Sequence, residues 1–169
     1  MRNLQTERLQ LRPLTVDDDD FVLELLNEPS FIEHIGDKQV RTREDAKSYV
    51  ELGPQASYAA HGFGLDCVES KSSGEPIGIC GLLQREFLDD VDVGYAFLPR
   101  YWSRGYATEA VEAVMVDARD RLGFTRVAAL VNGNNDSSIR LLGKLGFRFD
   151  RMVSLHEGEP DVRLYVCQL

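Results

Sequence analysis

The sequence predicts a single α+β domain, a mixed and mainly antiparallel sheet flanked by helices in the order β-α-α-β-β-β-α-β-α-β-β. Three observations carry that expectation. Segments of alternating apolar and polar residues are interleaved with segments of helical period. Three consecutive strand-like segments are joined by short, turn-rich connections, as in an antiparallel meander. No repeat, long linker or low-complexity tract divides the 169 residues, and 43% of them are hydrophobic, so residues 1–169 read as one domain with a sizeable core.

LQLRPL (Leu9 to Leu14) alternates until Pro13 ends it, a first strand. TVDDDDFVLELLNEP follows as a helix, in which Thr15 and Asp18 form a capping box. Its acidic run, Asp17 to Asp20, reads as a solvated first turn, where the helix dipole favours negative charge. Thr42 and Asp45 open a second capped helix, which Gly53 and Pro54 should break into two pieces. FGLDCVE, PIGICGLLQ and DDVDVGYAFL are the meander strands. The next helix places Ala107, Ala110, Val111, Val114, Ala118 and Leu122 at helical spacing and stops at Gly123. RVAALVN is a short, continuously apolar strand and should lie inside the sheet. NDSSIRLLGKLG is a helix that packs Ile139, Leu142 and Leu145 and ends at Gly146. FRFDRMVSL and DVRLYVCQL close the chain as two strands around a turn at HEGEP.

A formal net charge of −9 excludes a general nucleic-acid or anionic-membrane binder and suits a cationic substrate. No apolar run approaches the ~20 residues of a membrane span, and MRNLQTERLQL lacks the apolar core of a signal peptide, so a cytoplasmic protein is expected. Cys67, Cys80 and Cys167 are odd in number, show no C-x-x-C spacing and lie in strand-like stretches, which predicts buried reduced thiols. His34, His61 and His156 are scattered without metal-ligand spacing, and no metal site is legible.

The stretch RYWSRGYATEA (Arg100 to Ala110) starts a helix on Gly105 beside Arg104, where Ser, Thr or Asp would be the ordinary cap. Backbone N–H groups from Ser103 to Thr108 would then carry about half a positive charge, a cradle for a pyrophosphate. Taken alone, a loop that merely needs a glycine accounts for the stretch equally well. It matches neither the nucleoside-triphosphate loop nor the G-x-G-x-x-G dinucleotide pattern.

Two stretches together, GYAFLPRYWSRGYATEA and NNDSSIRLLGKLGF, resemble the acetyl-CoA-binding core of the GCN5-related N-acetyltransferase (GNAT) family. Within it they look like the RimJ/RimL-type branch, which includes ribosomal-protein N-terminal acetyltransferases. The likeness runs from TERLQLRPLT to the last strand and implies a GNAT-type fold. The family's phosphate loop, Q/R-x-x-G-x-G/A, falls on Trp102, Ser103, Arg104, Gly105, Tyr106 and Ala107. Trp102 in first place is usual in that branch. The resemblance implies acetyl-CoA as co-substrate, no metal, and two central strands that splay around the pantetheine arm. Phe97 and Leu98 would bind that arm through their main chain. Ser103, Arg104, Gly105, Tyr106, Ala107 and Thr108 would hold the diphosphate, Asn135 would bind the arm, and Ser138 would sit beside the sulfur.

The implied chemistry is direct attack of a neutral primary amine on the thioester, with Asp92 as base and Ser138 as hydrogen-bond donor to the thiolate. Asp92 shares a strand face with Gly94 and Ala96, small neighbours that would leave a groove for substrate. The branch often has Glu here, so the shorter Asp calls for a bridging water. A solvated strand carboxylate, or one that orients the amine's charge, is the alternative. Tyr95, Trp102 and Tyr106 read as packing residues that could also line the acyl end, and Glu33 and His34 are secondary candidates on the acceptor side. The acceptor expected first is a protein N-terminal α-amino group. A polyamine, amino acid or antibiotic is the alternative, as are a non-catalytic acyl-CoA sensor and a nucleotide-binding module unrelated to CoA. The branch contains homodimers, so a monomer or a homodimer is expected.

Overall fold

The computed structural model describes residues 2–169. Eight strands form one sheet: β1 (Leu4–Gln5), β2 (Leu9–Pro13), β3 (Leu65–Ser70), β4 (Pro76–Leu83), β5 (Asp92–Phe97), β6 (Arg126–Val131), β7 (Arg148–Val153) and β8 (Val162–Gln168). Their spatial order is β1-β2-β3-β4-β5-β6-β8-β7. Every neighbouring pair is antiparallel except β5 with β6, which the crossover through a helix makes parallel. The meander is therefore present, and the apolar RVAALVN strand lies inside the sheet as β6. A two-residue strand, β1, adds to the expected order.

The helices are α1 (Asp19–Leu26), α2 (Pro29–His34), α3 (Arg43–Val50), α4 (Ala56–His61), α5 (Tyr106–Asp120) and α6 (Asp136–Lys144). On one sheet face Phe21, Val22, Leu25 and Leu26 of α1 and Ala46 and Val50 of α3 pack on Cys67, Ile79 and Leu98. On the other, Ala110, Val111, Val114 and Ala118 of α5 and Leu142 of α6 pack on Leu82, Val93, Val127 and Ala129. Among the described residues, no helix is long and apolar enough to cross a membrane.

Where proline falls, the helices divide. The reading of one helix from Thr15 to Pro29 becomes a 3-10 turn (Val16–Asp18), α1 and α2. Glu28 before Pro29 is extended, with ψ 133°, as the residue preceding a proline prefers, so a new helix starts with Pro29 at its first position. At Gly53 and Pro54 the second helix divides into α3 and α4 as expected, though the chain stays helical between them. It widens into a π turn, Glu51–Gln55, that joins α3 to α4 and absorbs the missing N–H.

The acidic run is corrected by the structure. Asp17 and Asp20 face solvent, but Asp18 and Asp19 are buried in ion pairs. Arg12 of β2 grips Asp18 with two nitrogens at 2.9 and 2.8 Å, and Arg43 of α3 reaches Asp19 at 3.0 and 3.2 Å. The turn leans on the sheet and on the start of α3, so two of its carboxylates are buried in pairs there, and the exposed Asp20 also meets Arg43 at 3.1 Å. Cys67, Cys80 and Cys167 are free and buried.

Candidate active site

β5 and β6 share a single registered pair, Asp92 with Ala128, where the Ala128 N–H donates to Val91 O at 2.8 Å. Past that point β5 has no strand partner on its β6 side. Alternation decides which groups are left facing the gap. The Leu98 N–H donates to Ile77 O at 3.0 Å, so Leu98 and Ala96 turn towards β4 while Tyr95 and Phe97 turn towards the gap. The Leu98 carbonyl accepts from Tyr101 N–H at 2.9 Å. Leu98 has thus spent both main-chain groups inside the fold, which corrects its expected role on the arm. The Phe97 carbonyl is also taken, by the Trp102 indole N–H at 2.8 Å. Phe97 keeps its N–H for whatever lies in the gap.

At the end of the gap stands the start of α5. Gly105 is its cap residue, at φ 79° and ψ 6°, and Ser103 has φ 60°. These are left-handed conformations, natural for glycine and strained for serine. Among the described residues, no protein acceptor takes the N–H groups of Ser103, Arg104, Gly105, Tyr106, Ala107 or Thr108. The cradle is left open to an anion.

α6 starts across the gap. Asn135 is its cap, and its Oδ1 accepts from the Ser138 N–H at 3.3 Å, so the two act as cap and first turn rather than as neighbours on a helix face. The Asn135 Nδ2 remains available. The Ser138 hydroxyl shares a short hydrogen bond with the Tyr95 hydroxyl. Burial pushes the Tyr95 phenol up to about 12, against the opposing effect of Ser138, so the pair is uncharged at neutral pH and has a proton to give.

Asp92 lies at the closed end of the gap. The β4–β5 register runs without a bulge from Gly78 with Phe97 to Leu83 with Asp92, so Asp92, Gly94 and Ala96 do share a face. That face is not an empty groove: a Cβ on Gly94 would stand 3.1 Å from Leu83 and 3.4 Å from Leu65. Asp92 is 1% exposed, and Arg85 Nε donates to its Oδ1 at 2.9 Å. Burial raises its pKa, and Arg85 opposes the rise.

The profile of the acetyltransferase (GNAT) domain matches residues 8–148, most of the chain. The chain belongs to the GNAT acetyltransferase family. The uncharacterized N-acetyltransferase YoaA of Bacillus subtilis (strain 168) is 27% identical to this acetyltransferase over 168 residues, covering 96% of this chain and 94% of YoaA. A putative GNAT-family acetyltransferase from Bordetella pertussis has a solved structure that superimposes with a TM-score of 0.82 at 26% identity, over 99% of each chain. RimL, a ribosomal L7/L12 α-N-protein acetyltransferase solved with coenzyme A, shares the fold with a TM-score of 0.84 at 15% identity, over 99% of this chain and 98% of RimL. Membership makes this protein an acetyl-CoA-dependent N-acetyltransferase.

Several residues of this GNAT site lay outside the sequence reading. Tyr95 reads from the sequence as a packing residue that could also line the acyl end, and the bond of its hydroxyl to Ser138 is visible only in the structure. Arg85 comes from the loop after β4, where nothing in its spacing marks a partner for Asp92. Asn132, at the end of β6, donates from Nδ2 to His34 O at 2.8 Å and Glu33 O at 3.4 Å, which ties the end of α2 to the rim of the gap. Glu33 and His34 enter this tie through their carbonyls. Among the described residues, no group of three or more His, Cys, Asp or Glu side chains is placed to hold a metal ion.

Proposed function

We propose that this GNAT protein acetylates a primary amine in the manner of the RimJ/RimL-type branch, with a protein N-terminal α-amino group as acceptor. The observation that carries the reading is one gap with two unlike ends: unspent N–H groups at the start of α5 and the Tyr95–Ser138 hydroxyl pair at the start of α6. A ligand with a diphosphate at one end and a thioester at the other has that polarity. In this reading Ser103, Arg104, Gly105, Tyr106, Ala107 and Thr108 hold the diphosphate. Phe97, through its N–H, and Asn135, through Nδ2, hold the pantetheine arm.

Chemistry then takes place beside Ser138. The neutral amine attacks the thioester carbonyl carbon and the C–S bond breaks. The amine's proton passes through a bridging water to Asp92, which burial makes more basic and Arg85 holds in orientation. The departing thiolate, whose acid has a pKa of about 8.5, is stabilised by a hydrogen bond from the Ser138–Tyr95 pair and takes its proton from solvent. An α-amino group titrates roughly 2.5 units below a lysine, so deprotonation costs about 3.4 kcal/mol less and an N-terminus is the easier acceptor. RimL, of the same fold, is named for that acceptor type. A cytoplasmic setting suits the three free thiols.

Thermal unfolding with acetyl-CoA, NAD or ATP, followed by thiol release with N-terminal peptides, polyamines and aminoglycosides, tests this reading. A rise in Tm with acetyl-CoA alone and thiol release with peptides are expected. Thiol release with polyamines or aminoglycosides only would assign a small-molecule acceptor, and acetyl-CoA binding without any turnover would make the protein a sensor.

A further inference from the structure

Arg8 is far from the cradle in sequence but touches it in space. The turn from Thr6 to Leu9 presents it: the Thr6 N–H donates to Leu9 O at 2.9 Å, and the Leu9 N–H donates to Thr6 Oγ1 at 2.9 Å. From this turn the guanidinium meets the start of α5 in three ways. Nη1 donates to Arg104 O at 2.8 Å, Nε donates to Glu109 Oε2 at 2.7 Å, and Cζ lies 4.5 Å from the centroid of the Tyr106 ring. Nη2 lies 3.3 Å from the place a Cβ on Gly105 would take. Glu109 is held further by the Thr6 hydroxyl at 2.5 Å and by the Arg8 N–H at 2.8 Å.

Planarity turns these contacts into a constraint on the cradle. The Arg104 carbonyl and the Gly105 N–H belong to one planar trans peptide and point in opposite directions. With the carbonyl fixed on Arg8, the N–H is fixed away from Arg8, and the carbonyl's partial negative charge is kept off the cradle. Glu109 would otherwise set an anion one turn from the diphosphate, and its charge is met by Arg8.

We infer that Arg8 is a positioning residue for the diphosphate of the donor, acting through the Arg104–Gly105 peptide and through Glu109. The inference rests on the acetyl-CoA reading of the gap. It makes the advantage of acetyl-CoA over S-acetylpantetheine, which lacks the diphosphate, depend on a residue outside the loop.

Arg8→Gln is compared with the wild type for kcat/KM on both donors, with a peptide acceptor. In Arg8→Gln, kcat/KM for acetyl-CoA should fall about tenfold to a hundredfold, the scale of a lost charge-assisted hydrogen bond, mainly through KM. That for S-acetylpantetheine should move less than about threefold. An equal fall on both donors would make Arg8 a brace for the fold, and no fall on either would leave it without a role; both overturn the inference. The wild type tests the underlying reading separately, because equal use of the two donors there would remove the diphosphate site itself. Should Arg8→Gln fail to fold, Arg8→Lys, a point charge without the planar fork, is read by the same criterion.

Discussion

Asp92, the proposed base, is 1% exposed with one oxygen committed to Arg85 at 2.9 Å, and burial and pairing together bear on its pH dependence. Below its raised pKa the carboxyl is protonated and cannot accept the amine's proton. The acid limb of kcat/KM, measured with an acceptor of known pKa, should therefore lie above the ordinary aspartate value near 3.9. In Asp92→Asn that limb should disappear and kcat/KM should fall about a hundredfold. A limb retained in the variant would assign it to another group. The strand face of Asp92 was legible from alternation alone, because β5 pairs with β4 without a bulge. Arg85 was not legible, since a loop residue carries no periodicity that names its partner.

The start of α5 shows the same division at the scale of an element. Apolar spacing along α5 and the glycines at 105 and 123 are local signals, and the helix lies where they place it. Gly105 at φ 79° is a position where any side chain is strained, and a Cβ would come within 3.3 Å of the Arg8 guanidinium. Gly105→Ala should cost about 1–2 kcal/mol of stability by denaturant unfolding and raise KM for acetyl-CoA, as the cap and the cradle are distorted together. A loss of stability with KM unchanged would separate the cap from the cradle. Local patterns were least informative where partners are distant. The first turn before α1 looked solvated, yet Arg12 and Arg43 bury two of its four carboxylates. The backbone of Leu98 looked free, yet β4 and Tyr101 use it.

Across the whole molecule, a buried ionic network ties the beginning of the chain to the sheet and to α5. Arg2 reaches Asp66 of β3 at 2.9 Å and Asp117 of α5 at 3.2 Å, and Arg121 holds Asp117 at 2.8 Å. Burial pushes the Asp66 carboxyl up to about 6, against the pull of Arg2. Between about pH 4 and 6 the folded chain therefore holds a proton that the unfolded chain has lost, so the stability owed to this group falls as pH rises through that window and levels off above it. Asp66→Asn should gain stability relative to the wild type between pH 5 and pH 7.5, by about 1.4 kcal/mol. Thermal unfolding at the two pH values reads the difference, and a constant offset between the proteins would exclude Asp66 as its source.

The sequence by itself determined the meander, the start of α5 at Gly105 and the family, because each is written in short-range spacing or in a contiguous motif. Tertiary structure alone decided that β5 and β6 part after one pair, that Trp102 closes the Phe97 carbonyl, that Tyr95 joins Ser138, and that Arg8 meets Glu109 across 101 positions. These are hydrogen bonds and ion pairs between side chains and backbone groups whose proximity depends on how the sheet and its two helical layers pack, and no local period encodes that distance.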